Sequence, residues 1–257
     1  MWERLGSGSA VPHGQKLSTA NAVSTRLRIK LQLVHEELFR GGHFSGTPPE
    51  IRERYKEYLF VLHSVVRSSV PVMRAAEERC LLLEKSPLSA ALSGYYRVHA
   101  AEEINHDNWL LEDLELIGVG RRTVLSRKPF QSVAELVGSQ YYWIHHFHPV
   151  CLLGYIAVLE GYPPEYSDLL KLRARTGYPR AAFRTLAEHS SLDRHHIEEF
   201  WKMLDSLPLG KSHEEWITLN GIYTLDKWKE IIGILDGTLT KRRQAPSSTM
   251  GPLTRAP

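Results

Sequence analysis

LAEHSSLDRHHIEEF, residues Leu186–Phe200, is the stretch on which the reading of this chain turns. His189, Asp193 and His196 stand at i, i+4 and i+7, so a helix stacks all three on one face. Two imidazoles and a carboxylate from successive turns offer a first-row transition metal borderline nitrogen donors and one anionic oxygen. A second stretch, VHAAEEINHDNWL (Val98–Leu110), carries the same arrangement in His99, Glu103 and His106. One His-x-x-x-[Asp/Glu]-x-x-His match arises by chance in a small minority of chains of this composition. Two in one chain are far rarer.

Outward from that stretch, apolar residues recur at helical spacing along most of the chain. The spacing predicts helices over 21–40, 49–84 with a kink near Ser69 caused by Pro71, and 90–117, which carries His99, Glu103 and His106. A long loop, RRTVLSRKPFQS, should follow. Further helices are expected over 132–160, interrupted at Pro149, and over 164–176, 180–207 and 213–235. Within the last, TLDK reads as a local break with Thr224 or Asp226 as a new cap. No repeat of fixed period and no useful strand-like alternation is present. The expected architecture is all-α, one domain of roughly seven helices over 21–236. A disordered leader (1–20) and a disordered tail (237–257) should flank it.

Composition narrows the function classes. The chain has 257 residues, net charge +3, 42% hydrophobic residues and 13 histidines. The histidines are the unusual feature, and their positions rather than their number carry information. No basic groove interleaved with aromatics argues for nucleic acid. No run is long enough to span a bilayer, and the first twenty residues lack the apolar core of a signal peptide. A cytoplasmic setting is the default expectation. Cys80 and Cys151, the only cysteines, sit in apolar helical stretches and read as buried free thiols rather than a disulfide or a nucleophile.

Two segments thus each supply a carboxylate and a histidine three residues apart, Glu103/His106 and Asp193/His196. Di-iron and di-manganese carboxylate proteins place such pairs inside helix bundles, with further glutamates from other helices. Glu160, at the end of the apolar run LLGYIAVLEGYPP, is equally readable as a ligand or as a terminal carboxylate reaching water.

With these residues in view the chain resembles the haem-oxygenase-like di-iron oxidases and oxygenases, also described as iron-containing redox enzymes. Their signature is a Glu and a His on one helix, a Glu ending a later helix, then His-x-x-x-Asp-x-x-His. The chain offers Glu103 and His106, Glu160, and His189, Asp193 and His196 in that order. The likeness spans roughly 30–235. It implies a haem-oxygenase-like bundle, two ferrous ions with manganese as the other suitable metal, O2 as co-substrate, an external electron donor and a dimer. Relatives act on amino acids or fatty acids. An amino acid oxidised in specialised metabolism is the leading expectation for the small carboxylate-bearing substrate, and decarboxylating oxidation of a fatty acid is the alternative.

Some members take the first Glu two turns before the His, where this chain has His99. His99 is therefore open to three roles: a ligand, a partner of a ligand, or a core histidine bonded to a backbone carbonyl. Glu102 lies about 100° round the helix from Glu103 and reads as facing a neighbour or solvent, with an extra ligand or a partner of a ligand as the other role open to it. Tyr142 and His146 are candidates to hold substrate or to be core aromatics. Arg97, Arg67 and Arg74 are candidates to clamp a carboxylate or to be solvated surface arginines. Trp109 and Trp201 are expected to shield the site from water. The competing functions are a hydrolase on the same bundle, which would need a nucleophile, and a haem-degrading enzyme, for which His35 is the available early histidine. A protein that stores or senses iron completes the alternatives.

Overall fold

Prolines, loops and one asparagine cut the long apolar runs into shorter helices than their periodicity predicts. The computed structural model describes residues 22–38, 44, 46–163 and 165–237, and of residues 37–38 and 191–195 the backbone alone. The expected leader, and the tail from residue 238 onward, lie outside the described residues. In chain order the helices are α1 (Val23–Leu38), α2 (Pro48–Val66), α3 (Ser69–Leu82), α4 (Pro87–Glu102), α5 (His106–Leu116), α6 (Arg121–Ser126), α7 (Gln131–His146), α8 (Leu152–Gly161), α9 (Tyr166–Thr176), α10 (Arg184–Ser206) and α11 (Lys211–Leu235). 3-10 turns at Pro149–Cys151 and Arg180–Phe183 join α7 to α8 and lead into α10. No strand occurs among the described residues.

The starts follow local chemistry. Thr47 ahead of Pro48–Pro49 donates from its amide and its hydroxyl to the Glu50 carboxylate, at 2.8 Å each. This carboxylate cap and the adjacent prolines launch α2. Ser86 and Ser89 do the same for α4, again beside a proline.

Three expected helices are split. Pro71 does more than kink 49–84: α2 ends at Val66 and α3 begins at Ser69, which leaves the proline in a first turn, where its missing N–H costs nothing. The run 132–160 ends α7 at His146 and restarts after the Pro149 turn. The run 90–117 breaks after Glu102, with Asn105 in the left-handed region at φ 72°, a conformation that asparagine tolerates better than most residues. Two further corrections concern local structure. The expected loop at Arg121–Ser126 is helical, and TLDK does not break α11. There the Thr224 hydroxyl donates to the Asn220 carbonyl at 2.8 Å, so it satisfies itself within the helix instead of capping a new one.

Two apolar cores hold the helices. The larger joins α3, α4, α7, α8, α10 and α11, with Tyr96, Leu92 and Phe200 fully buried. The smaller packs α2 against α5, α9 and the 180–183 turn around Tyr55. Gly154 lets α8 lie backbone to backbone on α11, because a Cβ there would meet the Ile217 carbonyl oxygen at 2.1 Å and the Gly221 nitrogen at 2.6 Å. Buried Asn220 on α11 donates to Gln140 at 2.8 Å and to the Cys151 carbonyl at 2.7 Å. The start of α8 is thereby pinned, and α8 ends at the site.

Candidate metal centre

Five of the six ligands expected from the sequence can be followed, and the fold carries them toward one another on four helices. Glu103 follows the last residue of α4, His106 opens α5, Glu160 lies one residue from the end of α8, and His189 and His196 lie on α10. The side chain of Asp193, the sixth, lies outside the described residues. Register between α5 and α10 is set by buried Asp113, which accepts from the Thr185 amide at 3.0 Å. An α5 carboxylate thus caps the first turn of α10, one turn ahead of His189. In the same region the Tyr55 hydroxyl donates to the Ala182 carbonyl at 2.8 Å.

The imidazoles pair across the gap between the two motifs. His99 faces His196 with ring centroids 5.5 Å apart and planes at 82°, and His106 faces His189 at 5.1 Å and 88°. The motifs therefore run antiparallel, the first histidine of one against the last of the other. Glu160 reaches the His99–His196 end, its Oε1 2.5 Å from His99 Nε2. Glu103 serves the other end, its Oε2 3.2 Å from His106 Nδ1. His99 is thus not a core histidine bonded to a backbone carbonyl, since carboxylates flank both of its ring nitrogens, Glu102 Oε2 lying 3.4 Å from Nδ1. Glu102 itself is 44% exposed and turns toward His99 rather than into the site.

These donors fit divalent first-row ions. Two ligand atoms on one ion lie within about 4 Å of each other, twice a bond of roughly 2.1 Å. One ligand atom each from His99, Glu160 and His196 lie within 4.8 Å of one another, within reach of that limit by small side-chain adjustments. His189 and His196 are separated by about 10 Å along α10, seven residues at about 1.5 Å each, so the arrangement has two ends rather than one.

The electrostatics agree with a cation site. Burial pushes the Glu103 carboxyl up, yet its bond to His106 and the nearby His106, His189 and His99 outweigh this and hold it below the usual range. Burial likewise pulls the His99 imidazole down, and the bond and charge of Glu160, with Glu103 and Glu102, overcome it and raise it to about 9. Carboxylate and imidazole side chains are thus packed in a partly dry setting where each depends on the other's charge.

Aromatic rings wall the centre. Trp109 stacks on His106 at 4.2 Å, as expected of a water shield. Trp201 instead packs on Phe200 and under Arg28, one layer further out. Tyr95, which the sequence reading passed over, stacks on His99 at 5.4 Å and 11°, and its hydroxyl is buried with no hydrogen-bond partner among the described residues. Its place one turn before His99 on the same helix face was the available signal.

A cavity of about 770 Å³ opens beside the centre, and His99, Glu103, Glu160 and His189 form part of its wall. Its remaining lining is largely aliphatic, including Leu62, Val66, Met73, Leu152, Ile156 and Leu225. The expected substrate-holding residues are elsewhere. Tyr142 is 62% exposed, His146 and Arg97 are also exposed, and none of the three lines the cavity. The apolar stripe of α7 faces the larger core, and that turns Tyr142 and His146 outward. Arg67 and Arg74 do not line it either. Besides the ligands, the lining draws on α2, α3, α8, α9 and α11 together with residues of α1, α5 and α10, whose approach no single stretch of sequence encodes.

Comparison with known proteins agrees with this architecture. No curated protein matches the sequence significantly. A domain of unknown function with a haem oxygenase-like fold from Shewanella denitrificans OS217 superposes with TM-score 0.66 at 20% identity, covering 84% of this chain and 89% of that one. A TenA homologue from Pseudomonas syringae pv. tomato gives 0.65 at 9% identity, covering 90% and 100%. Haem oxygenase-1 from Synechocystis, in complex with haem, gives 0.60 at 15%, covering 84% and 93%. Residues 94–216, which include Glu103, His106, Glu160, His189 and His196, match the family described as iron-containing redox enzymes. The chain therefore has a haem-oxygenase-like fold, and just under half of it, with these candidate ligands, is similar to the iron-containing redox enzymes.

Proposed function

We propose that the chain is an O2-dependent non-haem oxidase or oxygenase that uses two iron ions and acts on an elongated, mainly aliphatic carboxylate. The observation that carries this reading is the position of the histidine–carboxylate cluster on the wall of the large apolar cavity. Glu103, His106, Glu160, His189, Asp193 and His196 would hold the ions, with manganese as the other metal suited to such donors. When bound, a ferrous pair supplies electrons to O2 and open positions at which it can bind. The protein's own part is to hold the imidazoles in register through α5 and α10, to exclude water with Trp109, and to align the substrate along the aliphatic wall. An external donor returns electrons between turnovers.

The cavity favours the fatty-acid class over the amino acid expected from sequence. Apolar surface, much of it from Leu, Val, Ile and Met, forms more of the lining than polar groups such as Ser69, Thr185 and Tyr155, and each CH2 buried against it contributes about 0.8 kcal/mol. Arg175, bonded to the carbonyls of Phe44 and Gly46, brings a positive charge to the lining and suits an anionic head. The competing functions are less well served. Cys80 and Cys151 are buried, burial pushes both thiols up to about 12, and neither lines the cavity, so a thiol hydrolase has no nucleophile. His35, the histidine available to a haem enzyme, also lines the cavity, stacked face to face on Tyr162 with centroids 3.9 Å apart, but a haem reading leaves the carboxylates at His99 and His106 without a task.

The test loads the metal-free protein anaerobically with Fe(II) and measures O2 uptake with saturated fatty acids of graded length and with amino acids. Uptake should rise with chain length and stay at background with amino acids. Amino acids that stimulate uptake while fatty acids do not would overturn the substrate class. Iron bound stoichiometrically without substrate-dependent uptake would favour storage or sensing.

A further inference from the structure

We infer that His99 is itself a metal ligand, so that the centre holds four imidazoles, two at each end, and not the three that the family resemblance implies. This rests on the iron centre proposed above and adds a residue to it.

Three observations converge on His99. One nitrogen of its ring belongs to the cluster in which ligand atoms of His99, Glu160 and His196 lie within 4.8 Å of one another, and Nε2 is the nitrogen on Glu160, at 2.5 Å from Oε1. Without it, that end keeps one imidazole and one carboxylate among the described residues, while the other end has His106, His189 and Glu103. The second observation is on the far side of the ring, where Nδ1 faces the Glu102 carboxylate at 3.4 Å. A ligating histidine characteristically gives its other N–H to a carboxylate, which fixes the tautomer and aims the remaining lone pair at the metal. Glu102, turned away from the site, stands within 3.4 Å of Nδ1, where such an acceptor would be. The third is the antiparallel pairing of the motifs. His99 stands to His196 as His106 stands to His189, with matching separations of 5.5 and 5.1 Å and near-perpendicular rings. The ring is also held still, with its side chain 6% exposed and Tyr95 stacked along it. The contrasting role for His99 is a positioning one, in which its only task is to donate a hydrogen bond to Glu160.

The experiment uses the full-length protein, stripped of metal and loaded anaerobically with Co(II). A four-imidazole centre should bind two Co(II) per chain and show four solvent-exchangeable, hyperfine-shifted imidazole N–H proton resonances. His99→Ala should bind one Co(II) tightly and lose the resonances of the vacated end. Two bound Co(II) with three such resonances in the unaltered protein would overturn the assignment and leave the iron centre standing. So would a His99→Ala protein that keeps both ions and every shifted resonance of the unaltered protein. Failure of the unaltered protein to bind Co(II) or Fe(II) at all would overturn the centre and this ligand together. A far-UV melt of metal-free His99→Ala checks its folding, and if it does not fold, the resonance count in the unaltered protein decides alone.

Discussion

Residues 99–106 and 189–196 carry the same spacing of imidazole and carboxylate, yet the chain delivers them on different backbones. The second segment is continuous helix within α10, while the first breaks after Glu102 and resumes at His106 through the left-handed Asn105. In α10 the seven-residue spacing alone keeps His189 and His196 on one face. In the first segment the break brings Glu103 against His106, and the Asp113 cap on α10 sets the second half in register with its partner helix. A spacing read as helical periodicity can therefore be satisfied by a helix or by a turn between two helices. The paired rings are close to the same distance apart either way.

The comparison can be tested by treating the two segments alike. If both feed one centre, His106→Ala on the broken side and His189→Ala on the continuous side should have equal consequences. Each should lower iron from two ions per chain to one and reduce substrate-dependent O2 uptake by about 100-fold or more, measured by metal analysis and an oxygen electrode. A large loss from one and none from the other would break the equivalence.

Asp113→Ala strips the cap that joins the segments and leaves the Thr185 amide buried without its acceptor, at a cost of about 1–2 kcal/mol in a denaturant melt. Asp113→Asn keeps an acceptor and should lose less. Because burial holds Asp113 above its ordinary 3.8, the folded state binds that proton more tightly than the unfolded chain. Its contribution is full below the unfolded value and is lost as pH rises through the folded one. The stability difference between the parent and Asp113→Asn should accordingly shift against the parent across that window.

Glycine should act with opposite sign in the two segments. Asn105→Gly suits φ 72° and should leave stability unchanged or raise it by a few tenths of a kcal/mol. Ser190→Gly, in the unbroken helix, should lower it by about 0.5 kcal/mol. Equal losses at both positions would mean that the break is not present in solution. The smallest effects belong to the exposed face of α7: Tyr142→Ser and His146→Ala should change stability by less than about 0.5 kcal/mol and leave O2 uptake as it was.

Much of the site was legible because metal ligation restricts both residue type and spacing. Glu103, His106, His189 and His196 could be picked out from two short motifs, whereas Glu160 stood even between ligand and terminal carboxylate until α8 carried it to His99 Nε2. Tyr142, His146 and Arg97 had the right chemistry but the wrong face, since an aromatic or basic residue on an amphipathic helix satisfies burial and exposure by rotation that local sequence does not fix. The helix breaks show the same division. Pro71 and Pro149 announced theirs, while the turn at Asn105 lies inside a run whose periodicity continues through it.

Sequence by itself determined that the chain is helical, where most helices start, and which side chains have the chemistry of a metal centre, because propensity, capping and donor type act over a few residues. Only the tertiary structure decided that His99 meets Glu160 and His196, that the two motifs cross antiparallel, and that the centre opens on an aliphatic cavity. Those facts depend on close approaches between helices far apart in the chain, such as Gly154 against α11 and Asp113 against the start of α10, and on the burial that such approaches create.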